Sequence, residues 1–162
     1  MSRLDSFIRR LEAQRACLDA AVREVAELPG LVLELGLGNG RTFDHLRERL
    51  PERRIIVFER DPQPHPDCWP AAEDLVIGPL EETLRDAALR WPAAAALIHS
   101  DIGTGEAARN RLVAASLGHL LPPLLVPGGM VASDQALTDE RLVPVPPPAG
   151  IASDRYFLYR RA

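Results

Sequence analysis

Apolar residues follow two different spacings along the chain. From Leu4 to Val25 they recur every three or four positions, which predicts one amphipathic helix or a pair of them. Pro29-Gly30 ends this segment. Beyond it, short apolar runs bounded by glycine, proline and charged residues are typical of strands buried in a sheet. We predict a strand that begins at Leu31 and further strands at 55–58, 74–78, 94–99, 130–133, 141–145 and 155–160.

Helical segments alternate with several of these strands. We predict helices at 39–50 and 79–90, and a third that follows Gly105 and runs to about residue 120. Prolines stand at the ends of these segments, where they begin or interrupt helices. The proline-rich residues 61–70 predict an irregular loop. Together the pattern indicates five strand–helix units followed by a terminal hairpin, which is an α/β arrangement with a parallel sheet.

Length and composition suit a single globular domain. The chain has 162 residues, 46% hydrophobic and 26% charged, and we predict one domain over residues 1–162 with residues 1–29 as its N-terminal helical segment. The net charge of −4 disfavours a nucleic-acid partner. No apolar run is long enough to span a membrane, the N-terminus does not resemble a signal peptide, and two cysteines make no disulfide framework. We therefore expect a cytoplasmic protein with neither a nucleic-acid nor a membrane partner.

Three alternate glycines follow the first predicted strand. Glu34 precedes Gly36, Gly38 and Gly40, so the pattern is E-x-G-x-G-x-G. Glycine adopts positive φ and, lacking a Cβ, lets a ligand approach the backbone. The dinucleotide pattern G-x-G-x-x-G fails because Arg41 stands at its last position. The P-loop pattern fails because the chain contains no lysine: all 19 basic residues are arginine. An ordinary strand–turn–helix, with the glycines serving the turn alone, is the structural alternative.

This glycine pattern resembles motif I of the class I S-adenosylmethionine-dependent methyltransferases. The resemblance covers nearly the whole chain and is strongest over residues 31–60. It implies a doubly wound, Rossmann-like α/β fold with a seven-stranded, mostly parallel sheet and an N-terminal helix. It also implies S-adenosyl-L-methionine as cofactor, with Glu34 helping to hold the amino-acid end, often through water or neighbouring backbone. Among the branches of this superfamily, the chain is most similar to small bacterial methyltransferases whose acceptor the resemblance does not supply.

A second acid supports the same cofactor. The apolar run 55–58 ends in Glu59, on the order of 20 residues after the glycines, which is the spacing expected of a ribose-binding carboxylate. An ionised carboxylate accepts hydrogen bonds from both ribose hydroxyls. We predict Glu59 as the ribose ligand; the alternative is a solvated acid beside Arg60 that merely closes a strand.

The resemblance extends the cofactor site to neighbouring residues. Family members commonly place an acid after the third strand to receive the adenine amino group, but here Pro79 stands at that point, so the backbone near Leu80 or the side chain of Glu81 would serve instead. The complete set of predicted cofactor-binding residues is Glu34, Gly36, Leu37, Gly38, Asn39, Gly40, Thr42, Glu59, Arg60, Gly78, Pro79, Leu80, Asp101 and Ile102.

Candidate catalytic acids lie at the predicted ends of strands four and five. Ligands of open α/β sheets bind beyond the carboxyl ends of the strands, so we predict Asp101 and Asp134 as catalytic residues. His99 lies within an apolar strand, which favours a core histidine over a base. Asp101 with Asp134-Gln135 is similar to the magnesium-binding set of catechol-type O-methyltransferases, but glutamine replaces asparagine and lysine is absent. We predict no metal site.

The acceptor is narrowed by exclusion. Enzymes that methylate amino groups of nucleic-acid bases carry Asn or Asp followed by Pro-Pro after strand four, whereas this chain has Ser100-Asp101-Ile102-Gly103. We expect methyl transfer to a small-molecule acceptor, or a pocket completed by a second copy of the chain in a homo-oligomer. The alternatives are a non-catalytic S-adenosylmethionine-binding module, a metal-dependent O-methyltransferase and, more distantly, a nicotinamide dehydrogenase.

Overall fold

The computed structural model describes residues 2–162, in which seven strands and four α-helices follow one another. The helices are α1 (Arg3–Glu24), α2 (Arg41–Arg49), α3 (Leu80–Arg90) and α4 (Ala107–Leu120). The strands are β1 (Leu31–Leu35), β2 (Ile55–Glu59), β3 (Leu75–Ile77), β4 (Ala95–Ser100), β5 (Leu125–Ser133), β6 (Leu142–Val145) and β7 (Phe157–Arg161). Three short 3₁₀ turns complete the connections, at Pro66–Cys68, Ala72–Asp74 and Pro122–Leu124.

All seven strands form one sheet in the order β3-β2-β1-β4-β5-β7-β6. β1 to β5 pair in parallel, whereas β7 runs antiparallel to both β5 and β6. The predicted doubly wound, mostly parallel fold is therefore confirmed. The chain moves outward from β1 to β3 and then returns to β4 beside β1, which opens a crevice at their carboxyl ends where ligands of such sheets bind.

Helices cover both faces of the sheet. α1 and α2 pack on one face, where Cys17, Leu18 and Phe43 meet Val32 and Leu97. α3 and α4 cover the opposite face, where their buried leucines contact the alternate residues of β1 and β4. β1, β2 and β4 are thus buried on both sides, which explains why they appear in the sequence as continuous apolar runs.

α1 is one uninterrupted helix. Its start is capped by Ser2, whose hydroxyl accepts from the Asp5 amide at 3.0 Å while the Asp5 carboxylate accepts from the Ser2 amide at 3.0 Å. Its C-terminal half buries Cys17, Leu18 and Ala21 against the sheet. This half therefore has the packing role that an amphipathic N-terminal helix predicts.

Two expectations about the connections are wrong. An α-helix follows β1, β3 and β4 but not β2 or β5 among the described residues, so there are three strand–helix units rather than five. After β2 the prolines of residues 61–70 prevent helical hydrogen bonding, and the chain forms 3₁₀ turns instead. β5 begins at Leu125, not at residue 130, because Leu125 already pairs with Ala95 before a register shift at Pro127-Gly128-Gly129.

Candidate functional site

The three alternate glycines form the tight turn between β1 and α2. Gly36, Gly38 and Gly40 all have positive φ, of 85°, 50° and 88°. A Cβ on Gly36 would lie 3.0 Å from the carbonyl oxygen of Asp101, and one on Gly40 would overlap the Cβ of Cys68. A Cβ on Gly38 would meet nothing within 4 Å. Gly36 and Gly40 are therefore required for packing, and Gly38 is the glycine that presents open backbone to a ligand.

This difference predicts that substitution by alanine acts mainly on stability at Gly40 and mainly on ligand binding at Gly38. Gly40→Ala is expected to lower the free energy of unfolding by about 2 kcal/mol, because alanine is strained at this φ and would overlap Cys68. Gly38→Ala is expected to cost about 1 kcal/mol and to weaken cofactor binding instead, because its methyl group enters the open space. Urea unfolding and calorimetric binding measure the two effects. Equal destabilisation by both variants would contradict this assignment.

A cavity of about 710 Å³ lies over the carboxyl ends of β1, β2 and β4. Its size is within the range of small-molecule sites. It is lined by every predicted cofactor residue except Glu34, namely Gly36, Leu37, Gly38, Asn39, Gly40, Thr42, Glu59, Arg60, Gly78, Pro79, Leu80, Asp101 and Ile102. The N-terminal half of α1 also lines it, through Phe7, Arg10, Leu11 and Gln14. The sequence favoured this helix as cover for the sheet, and the resemblance to methyltransferases left a lid over the ligand as the alternative; in the structure the helix both packs on the sheet and lines the cavity.

Glu59 lies at the end of β2 with its carboxylate against the glycine turn. One oxygen accepts from the amides of Leu37 at 2.8 Å and Gly38 at 3.3 Å, and the other accepts from those of Arg60 at 2.7 Å and Asp61 at 3.2 Å. Partial burial acts to raise the pKa of Glu59, but these four amide donors hold it below its ordinary value. Glu59 is therefore ionised at neutral pH, and the longer of these bonds are the ones that ligand hydroxyls could replace.

Glu34 does not line the cavity. It is fully buried at the centre of the sheet, where one oxygen accepts a short hydrogen bond from the Thr42 hydroxyl and the other lies 2.6 Å from Nδ1 of His99. Thr42 does line the cavity. Any hold of Glu34 on a ligand therefore acts through Thr42 and the glycine turn.

A buried chain of hydrogen bonds continues from Glu34 to Asp101. Nε2 of His99 lies 2.5 Å from the Tyr156 hydroxyl, and Gln14 donates to that hydroxyl at 3.4 Å and to Asp101 at 2.7 Å. Arg10 donates to the second Asp101 oxygen at 2.7 Å. His99 is thus a fully satisfied core histidine, as its apolar strand predicted. Asp101 lines the cavity, and both of its oxygens are held by side chains of α1.

Gln14 and Tyr156 were missed by the sequence analysis. Gln14 occupies a helical position between Leu11 and Leu18, so a polar residue within the apolar stripe of α1 was an available signal. Tyr156 precedes β7 and reaches His99 from a distant part of the sequence, for which local pattern gives no signal. Burial raises the pKa of Tyr156 well above its ordinary value, so its hydroxyl stays protonated.

The Glu34–His99 pair predicts a pH-dependent stability. Burial opposes a charged imidazole, but the Glu34 carboxylate outweighs it and raises the pKa of His99 above its ordinary 6.5. The folded protein therefore binds this proton more tightly than the unfolded chain, so the stabilisation is complete below pH 6.5 and is lost as the pH rises through the higher folded value. Urea unfolding between about pH 6 and pH 9 should show a steeper loss for the natural protein than for Glu34→Gln. Parallel curves would contradict the raised pKa.

A second cavity, of about 600 Å³, adjoins the first. The two share Phe7, Arg10, Gly103 and Thr104 in their linings. Asp134 lines the second cavity and not the first, and its carboxylate accepts from the amides of Ile102 at 3.3 Å and Gly103 at 2.8 Å and from the Gln135 side chain at 2.9 Å. Burial raises the pKa of Asp134 above its ordinary value. Asp101 and Asp134 thus face adjoining cavities, and their catalytic roles stay predictions.

Comparison with known proteins decides the family. A protein-family model described as S-adenosyl-L-methionine methyltransferase matches residues 1–161. The chain belongs to this methyltransferase family. The cofactor expected from the sequence, S-adenosyl-L-methionine, is the cofactor for which the family is named. No curated protein matches the chain.

Solved structures agree with this methyltransferase assignment. The S-adenosyl-L-methionine methyl transferase from Silicibacter pomeroyi DSS-3 is 42% identical, with a TM-score of 0.95, over 100% of this chain and 99% of that one. Human methyltransferase-like protein 13, solved with S-adenosylhomocysteine, is 15% identical with a TM-score of 0.52, over 97% of this chain and 80% of that one. Podospora anserina methyltransferase PaMTH1, also with S-adenosylhomocysteine, is 16% identical with a TM-score of 0.56, over 100% of this chain and 80% of that one. The latter two show a shared fold.

The residues predicted to meet the adenine lie at the start of α3. Pro79 immediately precedes the helix, Glu81 is its second residue, and both line the cavity. The Oε2 atom of Glu81 lies 3.4 Å from Nη2 of Arg85, one turn further along α3. Trp69, in the proline-rich loop after β2, is half-exposed and does not line the cavity.

Within residues 2–162, no helix has the combination of length and apolarity needed to cross a bilayer. In the same residues, no group of three or more histidine, cysteine, aspartate or glutamate side chains is arranged to hold a metal ion. The side-chain amide of Gln135 donates to Asp134 at 2.9 Å.

Proposed function

We propose that this protein transfers the methyl group of S-adenosyl-L-methionine to a small-molecule acceptor. The observation that carries the proposal is the ionised Glu59 carboxylate beside the open backbone of Gly38, at the floor of a cavity large enough for the cofactor. A carboxylate suits the two ribose hydroxyls, and open backbone suits a ligand without phosphate. The residues present therefore fit the cofactor.

Each part of the cofactor would meet a different element. Glu59 would hold the ribose, Gly38 and Thr42 would face the amino-acid end, and Leu80 and Ile102 would contact the adenine, since all five line one cavity. The backbone around Leu80 and the side chain of Glu81 stand where an acid usually receives the adenine amino group. Glu34 would support the site indirectly, because its carboxylate accepts a hydrogen bond from the Thr42 hydroxyl.

When bound, S-adenosyl-L-methionine supplies a methyl group already activated on its sulfonium. The protein must then align the acceptor with this methyl group and exclude water. α1 meets both, because Phe7 and Leu11 cover the cavity and Arg10 and Gln14 tie this helix to Asp101. We propose a small acceptor because both cavities are of small-molecule size.

Calorimetry with three ligands tests the cofactor assignment. We expect S-adenosyl-L-methionine and its demethylated product S-adenosylhomocysteine to bind the natural protein, and NAD to bind far more weakly. Binding of NAD alone would contradict the proposal and favour a nicotinamide dehydrogenase.

A non-catalytic cofactor-binding module is the second candidate. It is favoured by the engagement of both acids: Asp101 accepts from Arg10 and Gln14, and Asp134 accepts from two amides and Gln135. Neither carboxylate has an oxygen free of the protein's own donors. Labelled methyl transfer to a panel of metabolites distinguishes the two candidates, because a module would bind the cofactor and label none of them.

A homo-oligomer stays a prediction. Leu4, Phe7 and Ile8 of α1 are 66%, 48% and 44% exposed, which leaves apolar side chains at the rim of the cavities for a second copy to cover. Light scattering of the purified protein measures its mass in solution, and a mass equal to that of one chain would contradict the prediction.

A further inference from the structure

The second cavity has an excess of unpaired positive charge. Arg3, Arg155 and Arg10 line it together with Asp134 and Asp154. Arg10 is paired with Asp101 at 2.7 Å. Among residues 2–162, the side chains of Arg3 and Arg155 make neither an ion pair nor a hydrogen bond, although both residues line this cavity. Two arginines with unpaired side chains therefore line a space of about 600 Å³.

The two acidic residues that line this cavity, Asp134 and Asp154, do not neutralise both arginines. Asp134 uses its oxygens to hold the turn after β4, where three donors surround it. Asp154 is exposed, and within residues 2–162 its side chain makes neither a hydrogen bond nor an ion pair. Free cations thus outnumber free anions here by two to one, in a chain whose overall net charge is −4.

The N-terminus of α1 is not the group that would bind an anion in this cavity. Ser2 and Asp5 already cap this terminus reciprocally, and the Asp5 carboxylate places a negative charge there that disfavours a second anion. A ligand anion would therefore be recognised by the guanidinium groups, whose planar donors match the two oxygens of a carboxylate or the oxygens of a phosphate.

We propose that the second cavity is the acceptor subsite and that the acceptor carries an anionic group, a carboxylate or phosphate, held by Arg3 and Arg155. This inference rests on the proposed methyl transfer. The linings of the two cavities share Phe7 and Thr104, so an acceptor anchored by its anion in the second cavity extends its nucleophile toward the cofactor in the first. Arg10 and Asp101, at the junction, hold the wall between them.

The test uses matched probes on the protein saturated with S-adenosylhomocysteine. Benzoate and phenyl phosphate present the two anions on an aromatic ring suited to Phe7, benzamide has the shape of benzoate without the charge, and benzylamine reverses the charge. Binding is followed by the amide NMR signals of Thr104 and Gly105, which line the second cavity. We expect benzoate or phenyl phosphate to shift these signals, and benzamide and benzylamine to leave them unchanged.

A double variant and a matched control assign the effect to the two arginines. Arg3→Gln/Arg155→Gln should weaken anion binding about tenfold or more, because tenfold corresponds to ~1.4 kcal/mol and a charge-assisted hydrogen bond exceeds this. Arg9→Gln/Arg15→Gln removes the same charge from exposed positions of α1 outside both cavities and should leave binding unchanged. Both double variants should bind S-adenosylhomocysteine like the natural protein.

The results separate this inference from the proposed function. If S-adenosylhomocysteine binds but neither anion shifts the cavity signals, or if Arg3→Gln/Arg155→Gln binds the anions unchanged, the anionic subsite is wrong and the cofactor site stands. Binding of benzamide or benzylamine as tightly as benzoate would also overturn it. If S-adenosylhomocysteine and S-adenosyl-L-methionine both fail to bind the natural protein, the proposed function itself is wrong.

Discussion

Glu34→Ala is expected to lower the free energy of unfolding by about 3–5 kcal/mol, the cost typical of removing one partner from a buried ion pair. Glu34 is fully buried, and its carboxylate is the partner of both His99 and Thr42. Alanine would leave His99 without its charged neighbour at a buried position where water cannot replace it, and it would remove the acceptor of the Thr42 hydroxyl. Urea unfolding at pH 7 measures the loss.

Two further variants make this prediction specific. Glu48→Ala makes the same change at an exposed position of α2 and should alter the unfolding free energy by no more than about 0.5 kcal/mol. Glu34→Gln keeps an acceptor for Thr42, so its loss of unfolding free energy should lie between those of Glu34→Ala and Glu48→Ala. A loss below about 1 kcal/mol for Glu34→Ala would show that the buried hydrogen bonds of Glu34 contribute little to stability.

Glu59→Ala is expected to weaken the binding of S-adenosyl-L-methionine by about 1.5–3 kcal/mol, or roughly ten- to 150-fold, because hydrogen bonds to a charged acceptor are lost. The carboxylate lies beside the cavity and is held ionised by four backbone amides. The same amides lose their acceptor in the variant, so a modest loss of stability should accompany the loss of affinity. Calorimetric titration measures the affinity, and thermal unfolding confirms that the variant is folded.

Glu52→Ala is the matched control for Glu59. It removes a carboxylate from an exposed position before β2, outside both cavities, and should leave the affinity unchanged. Unchanged affinity in a folded Glu59→Ala protein would show that this acid closes a strand and does not bind the ribose.

The strands were predictable to within a few residues, with β5 the exception. β1, β2 and β4 are buried on both faces, and such strands must be apolar throughout, so they stand out from flanking glycine and proline. β5 was predicted five residues short because Pro127-Gly128-Gly129 reads as a turn, whereas in the fold it is a bulge within the strand. The helix after β2 was absent because local proline chemistry overrides the expectation of regular alternation.

The sequence also indicated that the glycine turn and Glu59 lie close together, because both follow adjacent strands. Neighbouring parallel strands place their carboxyl ends together without further information. The resemblance to methyltransferases implied a role for Glu34 that often acts through water or neighbouring backbone, and the fold buries this carboxylate between Thr42 and His99, outside the cavity lining.

The sequence by itself determined the strand pattern, the glycine turn and the acid one strand away, because each depends on residues close together in the chain. Tertiary structure alone decided that Gln14 of α1 and Tyr156 before β7 join Glu34 to Asp101, and that Arg3 and Arg155 border one cavity. The physical reason is that these contacts join residues more than 50 positions apart, across loops whose paths no local periodicity encodes. They form when packing on both faces of the sheet brings the ends of the chain together.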